Sequence, residues 1–396
     1  MIDQVVSSGG GWCLCRQGSY TSCAWNPENI VKVPFIPALR SMLYEAKHAT
    51  SLSHSNGVKT KTSYQIFHEM LSWYLRHREH CGSYFFYGLD VSGNRPEEYV
   101  SANEVLRYRK LRDGAEYNSS RLSYSCLLND KLLFWRHMQN HGVPTPKIYG
   151  HLAYGKVFDP GNWGENSLVK LLPHCNSTLI KERYGGQSGK GRGGPEFVFF
   201  VVPSIESCGN QDSGASFYRQ LPQSVKSGHW IIQELVAQHP LIAELNESSV
   251  NTLRIQSFHT AGKVVIPSMV LRVGKPGNFV DSRWLGGYCC EIDLSSGKLT
   301  GRISYRSKEQ NRERNPEISR KTCNLPIPFF NETLSIIKQA HQSLEFIPSI
   351  GWDVAITMDG PIVIEGNDNW SLASLQSFQG ARKILNEIDP EMFAPS

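Results

Sequence analysis

The amino-acid sequence predicts an α+β protein, with helices in the N-terminal third and strands joined by tight turns after it. In the N-terminal third, apolar residues recur every three or four positions, which is the spacing of one helix face. From residue 178 onward, short apolar or alternating runs are separated by glycine-containing turns, as in antiparallel sheets. The 396 residues, of which 40% are apolar and 19% charged, suffice for two or three folded lobes.

The charge balance and the cysteine spacing narrow the classes of function. A net charge of +5 fits a local anion site, and we expect no nucleic-acid partner, because such proteins usually carry dense Lys and Arg patches. The chain shows no secretory signal and no apolar run near the length of a membrane span, so we expect a cytoplasmic protein without membrane contact. The ten cysteines lack a paired CxxC framework, so we expect reduced thiols and no zinc site at Cys13, Cys15 and Cys23.

The first clear helix is predicted to be capped at Thr62 and Ser63 and to end near Cys81 and Gly82. Residues 83–90 (SYFFYGLD) then predict a strand, and residues 95–125 are charged and expected to be helical in part. The side chains expected on the buried face of the helix are Tyr64, Phe67, Met70, Leu71, Tyr74 and Leu75.

A second helix is predicted over residues 129–141, with Asn129 or Asp130 as its cap and Gly142 as its end. Lys131 lies in the first turn of this helix. A lone lysine on a helix is usually part of a solvated face, so its position alone indicates no function.

A glycine-dense loop over residues 184–195 joins two predicted strands, Thr178–Glu182 and residues 196–202. The loop does not match the Walker phosphate loop, because the glycine spacing is one residue short and a strand rather than a helix follows. Its bare backbone N–H groups can still cover phosphates, with positive charge from Lys181, Lys190 and Arg192. The alternative interpretation is a flexible hairpin tip.

The remaining strands are predicted at residues 229–236, 249–258 and 264–273, followed by a hairpin that turns at Ser296 and Gly297. Arg254 and Arg272 lie on two of these strands, and a turn at Ala261 and Gly262 joins the two. Residues 301–325 are charged and proline-punctuated, which predicts a long loop. A last major helix is predicted to be capped by Asn331 and to bury Leu334, Ile337, Ala340 and Leu344.

Residues 351–367 (GWDVAITMDGPIVIEGN) predict a hairpin that turns at Asp359 and Gly360. Glu365 and Asn367 share a face, because they are two residues apart on a strand. A two-residue loop would place Asp353 on the opposite face, whereas a three-residue loop or a bulge would bring all three side chains together. Two carboxylates and an amide oxygen suit a hard cation such as Mg²⁺, and the alternative is a core hairpin with polar ends.

The order of these elements resembles the ATP-grasp superfamily, and most closely its sugar-transfer-associated branch, which is related to α-L-glutamate ligases. The resemblance covers roughly residues 83–380. The chain departs from the family at Glu182, where relatives often carry proline, and at Asp281 and Ser282, where Asp-Asn is more usual. The segments that carry the resemblance are YGLD at 87–90, NDK at 129–131, GVPTP at 142–146, QELVAQHP at 233–240, SVNTLRI at 249–255, LRVG at 271–274 and GWD…IEGN at 351–367.

The resemblance implies two α+β lobes that clasp ATP, preceded by a helix-rich region. The implied domains are an N-terminal region (1–125), a small lobe with the glycine-rich hairpin (126–236) and a C-terminal lobe with the metal-binding hairpin (237–396). Lys131 and Lys181 resemble the lysines that contact the α- and β-phosphates. The other implied nucleotide contacts are Gly186, Gln187, Ser188 and Gly189 at the phosphates, and Glu234, Leu235 and Val236 at adenine. His239 follows the adenine segment and is a candidate contact of the ribose, with a core or loop histidine as the alternative.

The resemblance also implies the reacting centre. Arg254 and Arg272 are expected to contact the γ-phosphate or an acyl phosphate. Asp353, Glu365 and Asn367 are expected to hold Mg²⁺, as two ions, with Mn²⁺ as a substitute.

The implied activity is ATP-dependent carboxylate–amine ligation through an acyl phosphate, with small-molecule acids and amines, of amino-acid or saccharide origin, as substrates. One alternative is a kinase of the same fold that phosphorylates a hydroxyl or a sugar. Another is a nucleotide-binding module without turnover.

Overall fold

The structure is a computed structural model that describes residues 35–49, 59–81, 83–112, 124–154, 156–160, 165–166, 178–184, 200–202, 228–305 and 316–394. Several positions named above lie outside the described residues: Cys13, Cys15, Cys23, Gly186, Gln187, Ser188, Gly189, Lys190 and Arg192.

Helices and strands occur in separate runs, as expected of an α+β chain. The helices are α1 (Phe35–Ala49), α2 (Ser63–His77), α3 (Ala102–Arg112), α4 (Cys126–Asn129), α5 (Lys131–Asn140), α6 (Pro240–Ala243), α7 (Pro316–Thr322), α8 (Phe330–Gln342), α9 (Leu372–Leu375), α10 (Arg382–Ile388) and α11 (Pro390–Phe393), with 3₁₀ turns at Pro96–Glu98 and Arg283–Leu285. The strands are β1 (Ile148–Ala153), β2 (Lys156–Phe158), β3 (Glu165–Asn166), β4 (Thr178–Glu182), β5 (Phe200–Val202), β6 (His229–Glu234), β7 (Thr252–Thr260), β8 (Lys263–Val273), β9 (Tyr288–Asp293), β10 (Lys298–Tyr305), β11 (Ser349–Thr357) and β12 (Gly360–Asn367).

These strands form two six-stranded sheets. The first sheet has the order β3-β2-β1-β6-β4-β5 and the second β10-β9-β8-β7-β11-β12, and neighbouring strands are antiparallel in both. Helices packed beside antiparallel sheets confirm the predicted α+β class. The predicted domain boundaries at residues 125 and 236 stay a prediction.

The second sheet has one apolar and one polar face. Its apolar face packs against α8 in the largest core, which contains Leu253, Leu271 and Trp352. Because side chains alternate across a strand, Arg254 and Asp353 project from the other face. The candidate site therefore lies on the face turned away from this core.

Helix α2 confirms the predicted cap and corrects the predicted face and end. Thr62 accepts a hydrogen bond from the backbone N–H of Gln65 at 3.2 Å, and the Gln65 side chain accepts in return from the Thr62 N–H. Tyr64 and Leu75 are 75% and 51% exposed, so the prediction that both are buried was wrong. The helix ends at His77, before the predicted Cys81, because Arg78 takes a left-handed conformation. The residues that it buries are Ile66, Met70, Trp73 and Tyr74.

Three other predicted elements differ in the structure. Residues 83–90 form consecutive turns rather than a strand, with Gly88 at φ +65°. The predicted loop over 301–325 contains the end of β10 and helix α7. Helix α8 begins at Phe330, with Phe329 as its cap residue, so Asn331 lies inside the helix and does not cap it.

No helix in the described ranges has both the length and the apolar composition needed to cross a membrane.

The capping box of α2 gives a stability prediction. Thr62→Ala removes the acceptor for the Gln65 N–H, and we expect the free energy of unfolding to fall by about 1 kcal/mol. Thr62→Ser keeps the hydroxyl and is the matched control. Urea unfolding of the three proteins measures the effect, and equal midpoints for Thr62→Ala and the wild type would contradict it.

Candidate functional site

The hairpin of β11 and β12 brings the three predicted metal ligands onto one face. Its turn residues are Met358 and Asp359, one position earlier than predicted, since Thr357 pairs with Gly360. A bulge between the Asp353 and Val354 pairs shifts the register, so that Asp353 lies opposite Glu365. This is the bulged arrangement that the sequence left open.

The three side chains form a polar group in which Asp353 and Asn367 are buried and Glu365 is half-buried. The Asn367 amide nitrogen lies 3.4 Å from Glu365 Oε1 and 3.5 Å from the Gly351 carbonyl oxygen. Asp353 is 5% exposed and Asn367 is 7% exposed. Gly351 leaves room for Trp370, because a Cβ at residue 351 would lie 2.4 Å from the Trp370 Cβ. Only a glycine therefore fits at residue 351 without a shift of Trp370.

Two arginines from β7 and β8 converge on Asp353. Arg254 Nε lies 2.6 Å from Asp353 Oδ1, and Arg272 Nη2 lies 3.0 Å from Asp353 Oδ2. Arg272 Nε also lies 3.1 Å from Asp281 Oδ2, and Asp281 accepts a hydrogen bond from the Thr252 hydroxyl. The result is a buried network of two guanidinium groups and two carboxylates beside Glu365.

The local charges push the pKa values of the two carboxylates in opposite directions. Burial raises the pKa of Asp353, but Arg254 and Arg272 outweigh it, and the pKa is lowered overall. Burial and the neighbouring Asp353 raise the pKa of Glu365, against the opposing charges of Lys131 and Lys181. The pair therefore carries negative charge that a further cation would stabilise.

Lys131 and Lys181, the two predicted phosphate-binding lysines, lie close enough to Glu365 to affect its pKa. Lys181, on β4, is 8% exposed. Burial and the nearby Lys131 lower its pKa to about 8, opposed by the charges of Glu365 and Asp353. Lys131 on α5, Lys181 on the first sheet and the carboxylates of the second sheet therefore share one electrostatic environment.

A buried ion pair that the sequence did not indicate holds the segments of the two lysines together. Arg183 Nη2 lies 2.7 Å from Asp130 Oδ2, and Asp130 also caps α5 by accepting from the Leu132 and Leu133 N–H groups. The Lys131 N–H donates to the Arg183 carbonyl at 3.0 Å. Asp130 was predicted as a cap, but its partner Arg183, directly after β4, is distant in sequence.

The predicted adenine-binding segment follows β6, which ends at Glu234, two residues earlier than predicted. Glu234 pairs with Lys147 through its backbone N–H at 2.8 Å and through its carboxylate, which accepts the Lys147 N–H at 3.1 Å. Leu235 and Val236 are half-buried. His239 Nδ1 accepts from the Leu241 N–H, and the His239 N–H donates to the Ile356 carbonyl at 2.7 Å. The segment therefore connects the first sheet to β11.

The donor set fits a hard divalent cation. It consists of two carboxylates and an amide oxygen, all of them oxygen donors, and Asp353 Oδ1 is buried against Arg254 Nε. Across the described ranges, no group of three or more His, Cys, Asp or Glu side chains is arranged to hold a metal ion. Oxygen donors of this kind are the ligands that Mg²⁺ prefers, whereas softer metals prefer nitrogen or sulfur.

A comparison of the sequence with models of protein families identifies the family of this chain. The model of the family described as sugar-transfer associated ATP-grasp matches residues 114–389. The chain therefore belongs to the sugar-transfer associated ATP-grasp family, and the predicted ATP-grasp fold is confirmed. A search of the curated proteins finds no matching sequence.

Solved structures of ligases resemble the chain at low identity. An L-amino acid ligase from Bacillus licheniformis is 11% identical, with a TM-score of 0.36, over 65% of this chain and 45% of that chain. A phosphoribosylamine–glycine ligase from Thermotoga maritima is 12% identical, with a TM-score of 0.37, over 64% and 50%. A D-alanine–D-alanine ligase from Bacillus anthracis, complexed with ATP, is 10% identical, with a TM-score of 0.31, over 60% and 52%. The chain spans about half the length of each.

Proposed function

We propose that the protein is an ATP- and Mg²⁺-dependent carboxylate–amine ligase that forms an amide through an acyl phosphate and releases ADP and phosphate. The observation that carries the proposal is the convergence of Asp353, Glu365 and Asn367 with two buried arginines, within the electrostatic reach of two lysines. A polyphosphate needs cations on several sides, and a phosphoryl transfer needs charge neutralisation more than it needs a protein nucleophile.

Asp353, Glu365 and Asn367 are the residues that would hold Mg²⁺, which when bound neutralises phosphate charge. Arg254 and Arg272 now neutralise Asp353. In the nucleotide complex, the two guanidinium groups would bind the oxygens of the transferred phosphoryl group. The burial of Arg254 keeps water from weakening its interaction.

The other nucleotide contacts follow from the two sheets. Lys131 and Lys181 would contact the α- and β-phosphates, opposite the carboxylate group. Leu235 and Val236, with Glu234 as a supporting polar group, would present backbone hydrogen-bonding groups to adenine, and His239 would lie at the ribose. The glycine loop, including Gly186, Gln187, Ser188 and Gly189, would cover the phosphates.

The proposed reaction has two steps. A substrate carboxylate oxygen attacks the γ-phosphorus, the bond from that phosphorus to the β–γ bridging oxygen breaks, and ADP leaves with both electrons. The amine nitrogen then attacks the acyl carbon, the carbon–oxygen bond to phosphate breaks, and the nitrogen gives its proton to solvent. The protein aligns the groups and stabilises charge in both steps.

A trapping experiment tests the proposal. The protein is incubated with ATP, Mg²⁺ and pools of small carboxylic acids, with hydroxylamine as a substitute for the amine. ADP release together with a hydroxamate supports an activated acyl group. Phosphorylation of a hydroxyl or sugar acceptor without a hydroxamate would instead assign a kinase, and Mg²⁺-ATP binding with neither product across these pools would assign a nucleotide-binding module.

A further inference from the structure

A tight loop between β8 and β9 carries two charged residues, Asp281 and Arg283, back toward the polar face of the second sheet. The loop spans residues 274–287 and is closed by glycines at both ends. A Cβ on Gly287 would lie 2.5 Å from the Val273 carbonyl oxygen, and one on Gly274 would lie 2.3 Å from Ser249 Oγ. This close approach folds the loop back so that Asp281 reaches Arg272. Arg283 follows two residues later.

Arg283 lies between the N-terminal region and the C-terminal helices. Its guanidinium carbon lies 5.0 Å from the centroid of the Phe86 ring. Its Nη1 donates to Ser377 Oγ at 3.1 Å, and its Nη2 lies 3.4 Å from Ser374 Oγ. The Ser377 hydroxyl is itself oriented, because it donates to the Ala373 carbonyl at 2.7 Å. The side chain is therefore positioned by a ring and two neutral hydroxyl groups.

Arg283 differs from two arginines on the strands of this sheet in the groups that accept its hydrogen bonds. Arg272 is paired with Asp281 and Asp353, and Arg302 is paired with Glu291 at 2.7 Å. For the half-buried Arg283, the described part of the chain supplies only hydroxyl acceptors and no carboxylate. A guanidinium has five N–H donors and binds carboxylate or phosphate through two of them at once. An oriented guanidinium without a carboxylate is suited to an anionic ligand.

The position of Arg283 relates it to the reacting centre. Cys289 pairs with Arg272 across β8 and β9, so it lies one strand farther from Asp353 than Arg272 does. Both Arg283 and Arg272 act on the Cys289 thiol, where they oppose the rise in pKa caused by burial. Arg283 lies two residues after Asp281, which contacts Arg272, and its partner Ser374 lies on α9, which packs against β8. Arg283 is therefore in the same part of the molecule as Arg272.

We propose that Arg283, with Ser374 and Ser377 behind it, binds a second anionic group of the acid substrate, a carboxylate or a phosphate that is not itself activated. This inference rests on the proposed ligase function. Arg254 and Arg272 would serve the transferred phosphoryl group, and Arg283 would hold the distant end of the same substrate molecule. The substrate class is thus an acid with two anionic ends.

The probes for this site are malonate, for a carboxylate, and inorganic phosphate. Their affinities are measured by calorimetry for the wild type, Arg283→Gln and Arg302→Gln at constant ionic strength. Arg302 is the matched control, because it also stacks on a phenylalanine beside α9 but has Glu291 as its partner. We expect the wild type to bind one of the probes, Arg283→Gln to bind it about tenfold more weakly, and Arg302→Gln to match the wild type.

Arg283→Lys keeps the charge but loses the two-pronged geometry, so an intermediate affinity is expected, and this variant serves if the glutamine variant does not fold. Equal affinities in the wild type and Arg283→Gln would overturn the proposal, as would failure of the wild type to bind either probe.

A separate titration of the wild type with Mg²⁺-ATP distinguishes the failure of this proposal from the failure of the ligase proposal. If Mg²⁺-ATP binds and the probes do not, only the second-anion site fails; if Mg²⁺-ATP does not bind, the ligase proposal itself fails.

Discussion

Glu365→Gln is expected to lower turnover by more than about a hundredfold and to remove the Mg²⁺ dependence of ATP binding, while the fold is retained. Glutamine has nearly the shape of glutamate, so β12 and its pairing with β11 remain. The amide carries no charge, so the ligand group loses one of its two carboxylates. Burial and the neighbouring Asp353 carboxylate already raise the pKa of Glu365.

Calorimetric titration of ATP with and without Mg²⁺ measures the first part of this prediction, and ADP release measures the second. Glu291→Gln is the matched control, because Glu291 lies on the same sheet and is paired with Arg302, away from the metal ligands. Near-normal turnover in Glu365→Gln would show that the three residues are not the metal site. A loss of equal size in the control would point to a general effect on the sheet.

The alternation of side chains along strands allowed much of the site to be predicted from the sequence. It separates Arg254 from the core residues on either side of it on β7, and it places Glu365 and Asn367 on one face. It did not settle whether Asp353 joins them. The earlier turn alone would pair Asp353 with Ile364, and the bulge restores its pairing with Glu365. A bulge is set by packing across neighbouring strands, which a single strand's sequence does not encode.

Tertiary packing also overrode local preferences in the N-terminal region. The aromatic run over 83–90 has strand propensity, but Tyr84, Tyr87 and Leu89 are buried against the helices, and Gly88 turns the chain. Helix α2 has apolar residues on more than one side, and its packing against α1 decides which side is buried. In the same way, the pairing of Arg272 with Asp281 depends on the fold of the loop over 274–287, which no short-range pattern predicts.

The ion pair of Asp130 and Arg183 shows why the two lysines need not be adjacent in sequence to act together. Asp130 directly precedes Lys131, and Arg183 lies two residues after Lys181. The pair therefore fixes the start of α5 against the end of β4, and with them the two lysine backbones. The cap was predictable from the sequence of the helix start, whereas the juxtaposition of Lys131 and Lys181 required the fold of the first sheet.

Lys181→Ala is expected to weaken ATP binding about 10- to 100-fold, because a buried ammonium that contacts phosphate is lost. In the wild type, the pKa of Lys181 is lowered to about 8 by burial and by Lys131. ATP binds the charged form, so affinity is highest below about pH 8 and falls as the pH rises through that value. The variant lacks the titrating group, and we expect its affinity to stay flat over the same interval.

Calorimetric titration of ATP at fixed Mg²⁺, at several pH values around 8, tests both parts of this prediction. Lys156→Ala is the control, because Lys156 is an exposed lysine on β2 of the same sheet. Lys181→Arg separates charge from titration, since arginine stays protonated and should retain part of the affinity without the decline above pH 8. Unchanged affinity in Lys181→Ala would remove Lys181 from the nucleotide site. A decline above pH 8 that persists in that variant would assign the titration to another group.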